Sequence, residues 1–125
     1  KRAAGVTCGT TDIDPVPTVT RNQILTDNAR LHSQDMFDNS YVNLVQPDGK
    51  GPIDWSMPNY CGSYVVAEVG GGQADADTFL ATLFNVESEC KKLMTAGAKG
   101  VGVGYYTDST GTSVHLWSLV LGSAP

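Results

Sequence analysis

Residues 114–121 carry apolar side chains at both odd and even positions. Val114, Leu116 and Val120 fall in one set and Trp117, Leu119 and Leu121 in the other. Successive side chains of a strand point to opposite faces, so this segment predicts a strand that is apolar on both sides and must be covered on both. Upstream, the run Gly-Val-Gly-Val-Gly-Tyr-Tyr from residue 100 predicts the partner arm of a β-hairpin. Residues 107–112, rich in Asp, Ser, Thr and Gly, predict its turn. The preceding hundred residues therefore have to supply two covering layers.

Two helical patterns are present to do so. Leu25, Ala29, His32 and Met36 form one helical stripe, which predicts a helix over 20–37 with Thr20 or Asn22 as N-cap. His32 lies within the stripe, where a buried histidine bonded to a neighbouring backbone group is expected. Phe79, Leu83, Val86, Cys90 and Leu93 form a second stripe, which predicts one helix over 75–94, capped by Asp75 or Asp77. Lys91 and Lys92 then complement its C-terminal dipole. Residues 63–69 predict a short apolar strand interrupted by Glu68, whose carboxylate has to be paired or lie at a cleft edge. Gly70, Gly71 and Gly72 follow as a turn with positive φ rather than a phosphate loop, since no Gly-Lys-Ser/Thr accompanies them.

Residues 1–17 show no apolar period and predict an irregular arm, with 18–125 as the folded domain. Prolines and glycines in 38–63 exclude a long helix there. Trp55 and Tyr60 either pack this long connection down or line a cleft. The pattern as a whole predicts an α/β fold: an α-β-α sandwich with a small, mainly antiparallel sheet of about three strands between helices.

Composition narrows the function classes. The formal net charge of −5 argues against a nucleic-acid or anionic-membrane surface. No apolar run is long enough to span a bilayer. Cys8, Cys61 and Cys90 suit one disulfide plus one odd thiol, and they lack the close pairs of a structural zinc site. Secretion is the expected setting, with Lys1-Arg2 either the remnant of a dibasic processing site or two solvated charges. No Asn-X-Ser/Thr acceptor is present. A monomer is expected, and an unpaired Cys8 would permit a disulfide dimer.

In order and motif, these segments resemble the CAP superfamily of cysteine-rich secretory, antigen 5 and pathogenesis-related class 1 proteins, in its compact SCP-like extracellular branch. The likeness rests on Ala29, Arg30 and the run His32-Ser33-Gln34-Asp35-Met36, on Pro47-Asp48-Gly49, and on Ala67-Glu68-Val69 followed by glycine. It continues through Cys90 to Met94, Val101-Gly102-Val103-Gly104-Tyr105, and the Trp117-Ser-Leu-Val-Leu-Gly run. It covers roughly residues 18–122. The family's usual first helix has no counterpart in the sequence, which would thin one side of the sandwich or open a groove.

What the resemblance implies about chemistry is specific. Many members have a cleft of two histidines and one or two acids, which in some binds zinc or another divalent cation. The acid is kept as Glu68, but Asn43 and Glu89 stand where the histidines belong. Both are oxygen ligands, so zinc is not expected, and at most a weak hard-cation site remains. His32, His115, Trp55 and Tyr64 are further candidates for lining the cleft. The resemblance also implies a Cys61–Cys90 bridge, with Cys8 free or competing.

For function, it implies a secreted, non-enzymatic domain that binds a sterol, fatty acid or other small hydrophobic ligand and acts in host interaction, virulence or defence. The apolar side chains Val42, Leu44, Val45, Ile53, Trp55 and Met57 would either line the groove or close the core. A wall or matrix interaction module is the alternative. A hydrolase built on Glu68, His32 or His115 and Ser33 is disfavoured, because adjacent helical residues point about 100° apart. No Gly-x-Ser-x-Gly elbow or His-Glu-x-x-His is present either.

Overall fold

The computed structural model describes residues 1–62, 65–107 and 114–123. Ser63, Tyr64 and most of the expected hairpin turn lie outside them. In chain order the elements are β1 (Val6–Cys8), β2 (Thr11–Ile13), β3 (Thr20–Arg21), α1 (Gln23–Asp38), α2 (Pro52–Ser56), β4 (Val65–Gly71), α3 (Ala76–Phe84), α4 (Glu87–Leu93), β5 (Ala98–Thr107) and β6 (His115–Ser123). The main sheet has the order β3-β5-β6-β4. β3 runs parallel to β5, and the other pairs are antiparallel. The sandwich expected from the pattern is present, with four strands rather than three because the two-residue β3 adds an edge.

The doubly apolar strand is the buried centre: every residue of β6 from Leu116 to Ser123 is buried. Val120 faces a cluster with Leu25, Ala29, Trp55, Tyr60 and Ala67 beneath α1 and α2. Trp117, Leu119 and Leu121 face Phe79, Leu83 and Leu93 beneath α3 and α4. Helix α1 lies almost directly on the β5 backbone. A Cβ on Gly102 would sit 2.2 Å from the Leu25 carbonyl carbon, and one on Gly104 would sit 2.1 Å from the Arg30 nitrogen. The alternate glycines are thus the track on which α1 rests. Of the two expected caps, Asn22 serves: its Oδ1 accepts a 3.0 Å bond from the Leu25 amide.

Three expectations change. The helix expected over 75–94 is two helices, broken where Asn85 ends α3 and an extended Val86 starts α4. Asn and β-branched Val are weak helix residues, and Val86 points outward instead of continuing the stripe. The N-terminal arm is not irregular. β1 and β2 form a hairpin turned at Gly9, whose φ of +61° favours glycine. Strands of three residues are too short to show a period. Among the described residues of 1–22 no helix occurs.

The disulfide is the third correction. It joins Cys8 to Cys90, not Cys61 to Cys90, and Cys61 is an exposed free thiol. The hairpin lies over α4, where Cys8, Cys90 and Met94 bury together. Thr11 Oγ1 donates to Glu87 at 3.2 Å, and the Arg2 guanidinium donates to the carbonyls of Leu93 and Thr95 at 2.8 and 3.0 Å. Cys61 follows Tyr60, which is held by the Ser123 carbonyl and packs on Gly122 in the cluster under α1. It is therefore anchored on the face of the sheet opposite α4.

Candidate functional site

The residues at the family-equivalent cleft positions divide between the two faces of the sheet. On β4, Ala67 faces the α1 cluster, so Glu68 faces the other way, toward α4. Glu68 is buried, with 3% of its surface exposed, and its Oε1 is 3.0 Å from the Lys92 ammonium. Burial pushes the Glu68 carboxyl above the ordinary carboxylate range. Lys92 opposes that rise, and the negative charge of the nearby Glu89 adds to it. The contact the structure shows here is the ion pair between Glu68 and Lys92. Lys92 went unrecognised in the sequence because a lysine near a helix end already has a sufficient explanation.

Asn43 belongs to the other face. Its carbonyl lies 2.9 Å from His32 Nε2, and its side chain accepts from the Val45 amide at 3.0 Å. The carbonyl can only accept, so Nε2 carries the proton in this bond. Burial lowers the His32 pKa, against smaller opposing effects from the Asn43 bond and the Asp35 charge. Trp55 stacks on the imidazole with centroids 3.8 Å apart and planes 6° from parallel. Its indole donates to the Leu44 carbonyl at 2.8 Å. Trp55, Leu44 and Met57 close the core beneath α1, whereas Val42, Val45 and Ile53 stay exposed.

The hydrolase parts are not assembled. Ser33 Oγ bonds the Gly104 carbonyl and Ser118 Oγ at 3.0 and 2.8 Å. His115 Nδ1 is 2.5 Å from the Tyr105 hydroxyl, on the Trp117 side as the alternation predicts. Each of these polar groups is bonded to its own neighbours rather than to a shared reaction centre. The divalent-cation site implied by the resemblance does not fit these residues either. Asn43 is on the wrong face, the Lys92 ammonium stands against Glu68, and no group of three His, Cys, Asp or Glu gathers among the described residues.

A different feature offers room for a ligand. On the α3 side the odd residues of β5, Val101 and Val103, are only half buried. α3 covers β4 and β6 but leaves these valines as the floor of a groove of about 650 Å³. Val19, Leu80, Phe84 and Leu119 line it further, and Lys1, Arg2 and Asp77 bring charge to it. The Lys1 ammonium is 5.0 Å from the centre of the Phe84 ring. The half-buried valines alternating with glycines were the sequence signal for this groove.

A central mainly antiparallel sheet between α1 and the α3–α4 pair, with an N-terminal hairpin clamped by a disulfide, defines a small α-β-α domain. The model of the CAP family, the cysteine-rich secretory protein family, matches residues 14–121, and the chain belongs to that family. An outer surface protein from Borrelia burgdorferi has a similar structure, with a TM-score of 0.77 at 10% identity over 88% of this chain and 80% of that one. So does an extracellular protein containing an SCP domain from Bacillus anthracis, at 0.71 and 22% identity over 87% of this chain. This chain spans 35% of the length of that protein. At these identities the likeness is one of fold. No curated protein matches the sequence.

Proposed function

We propose that this CAP domain is a non-enzymatic extracellular binding module that takes a lipid, a fatty acid or a sterol, into the groove between α3 and β5. The observation that carries the reading is the groove itself. Its volume, about 650 Å³, falls within the ~300–1,000 Å³ of small-molecule sites, and apolar side chains dominate its wall. Filling it would cover Val101, Val103 and Leu80, which the fold leaves half exposed, and would gain roughly 25 cal/mol for each Å² removed from water. Lys1 at the wall suits an acidic head group better than a neutral one. The disulfide supports an oxidising, extracellular setting. Separate bonding of Ser33, His32, His115 and Glu68 supports binding over hydrolysis.

Titration with a fluorescent fatty acid and a fluorescent sterol tests the reading. Saturable binding is expected, with the fatty acid the tighter ligand. The exposed Ala81 lines the groove from α3, and Ala81→Trp should weaken binding at least ten-fold without loss of fold. Absence of saturable binding to either probe, with retention on wall polysaccharide, would replace this reading by that of a matrix module.

A further inference from the structure

Part of the groove wall is Lys1, Arg2 and Ala3, which precede the first strand. Arg2 fastens them to the body of the domain. Its guanidinium donates through Nε to the Pro17 carbonyl at 2.9 Å, and through one terminal nitrogen to the Leu93 and Thr95 carbonyls at 2.8 and 3.0 Å. Its own carbonyl accepts from the Val16 amide at 2.8 Å. The Leu93 and Thr95 carbonyls lie at the C-terminal end of α4, where a cation is favourable. The neighbouring Lys1 is thereby held at the groove, its ammonium 5.0 Å from the centre of the Phe84 ring. Among the described residues no carboxylate pairs with it. Asp77, the acid on the groove wall, lies seven residues before Phe84 on α3, about 10 Å away along the helix axis.

We infer that the Lys1 ammonium is the head-group anchor of the groove and that Arg2 is the residue that positions it, so that the ligand is a long-chain acid rather than the corresponding alcohol. This rests on the lipid reading of the groove and names the ligand class within it. An alcohol of the same chain covers the same valines but brings no charge to Lys1. A carboxylate does, beside apolar walls where attraction is stronger than in open water. Asp77 repels an anion from the other end, which sets the direction: head at Phe84, chain along Val101 and Val103. Without the Arg2 bonds the Lys1 ammonium would range over many positions, and ordering it on binding would cost entropy.

The test displaces a fluorescent fatty acid from the whole chain with dodecanoate or dodecanol, below the concentrations at which either aggregates. At about pH 8 the acid is ionised. Wild type should prefer the acid by about five-fold, the scale of one partly screened ion pair, and high salt should shrink the preference. Lys1 is exposed, so Lys1→Met should fold normally, and it should bring the two ligands to near parity. Lys1→Arg should keep the preference. Arg2→Met should weaken the acid more than the alcohol, and adding it to Lys1→Met should change their ratio no further. A merely structural role for Arg2 would weaken both ligands alike. Should Arg2→Met not fold, Arg2→Lys takes its place, with an intermediate loss of preference expected. Equal affinity of wild type for acid and alcohol would overturn the inference and leave the lipid reading standing, whereas absence of saturable binding would remove both. A preference that survives Lys1→Met, or an Arg2 variant that weakens both ligands equally, would also overturn it.

Discussion

Trp55 shows how a single residue can satisfy two sequence readings until its neighbours are known. An aromatic in a long loop fits a cleft wall as well as a core plug. Here it stacks on His32, bonds the Leu44 carbonyl and is 8% exposed, so it belongs to the core. Trp55→Ala should cost about 3–5 kcal/mol in urea unfolding. The groove lies across the sheet, so lipid affinity of the folded variant should stay within about two-fold.

His32 adds a pH dependence. Its folded pKa is below the ordinary 6.5, because burial opposes the charged form. Between that folded value and 6.5 the unfolded chain binds more protons than the native one, so stability rises with pH in this window. The contribution is complete above about 6.5 and is lost as the pH falls below it, with Asp35 on the same helix softening the loss. His32→Gln should flatten the slope of unfolding free energy between pH 7 and 5. An unchanged slope would assign it to other groups. The burial of His32 was legible from its place in the stripe. Its bond to Asn43 was not, because the partner lies eleven positions on, in the irregular segment that follows α1.

At the scale of elements, helical stripes and strand alternation gave α1, β4 and the β5–β6 hairpin, since each buries one or two faces at a regular period. They did not give the α3–α4 break, where the apolar spacing in the sequence runs on through Val86 although the helix stops and Val86 turns outward. Nor did they reveal what Gly102 and Gly104 do. Alternate glycines mark a strand face without side chains, but only the position of α1 shows that the helix backbone fills the space. Gly104→Ala should therefore destabilise at or above the upper end of the ~1–3 kcal/mol typical of overpacking, because the obstacle is helix backbone, not a movable side chain. A thermal melt with an amide exchange map should show the loss concentrated in α1. A drop under about 0.5 kcal/mol would mean that α1 can lift from β5 at little cost.

The whole molecule depends on one long-range covalent contact that the sequence could not choose. Three cysteines permit three single pairings, and nothing local ranks them. Only the approach of the N-terminal hairpin to α4 selects Cys8 and Cys90. Their 82-residue separation predicts a loss of about 2–5 kcal/mol when the bridge is reduced or Cys8→Ser is introduced. Thiol labelling of the native protein should modify one cysteine, Cys61, and labelling of three would contradict the bridge.

That bridge also divides the chain topologically. Everything from β2 to the start of α4 is enclosed in a covalent ring, while the two innermost strands, β5 and β6, lie on the open tail outside it. A protease cut within the ring leaves the chain at full mass on a non-reducing denaturing gel. A cut between α4 and β5 instead releases the central hairpin as a fragment once the fold is melted. The most deeply buried strands are thus the part held only by noncovalent forces, and the periphery is the part that is tied.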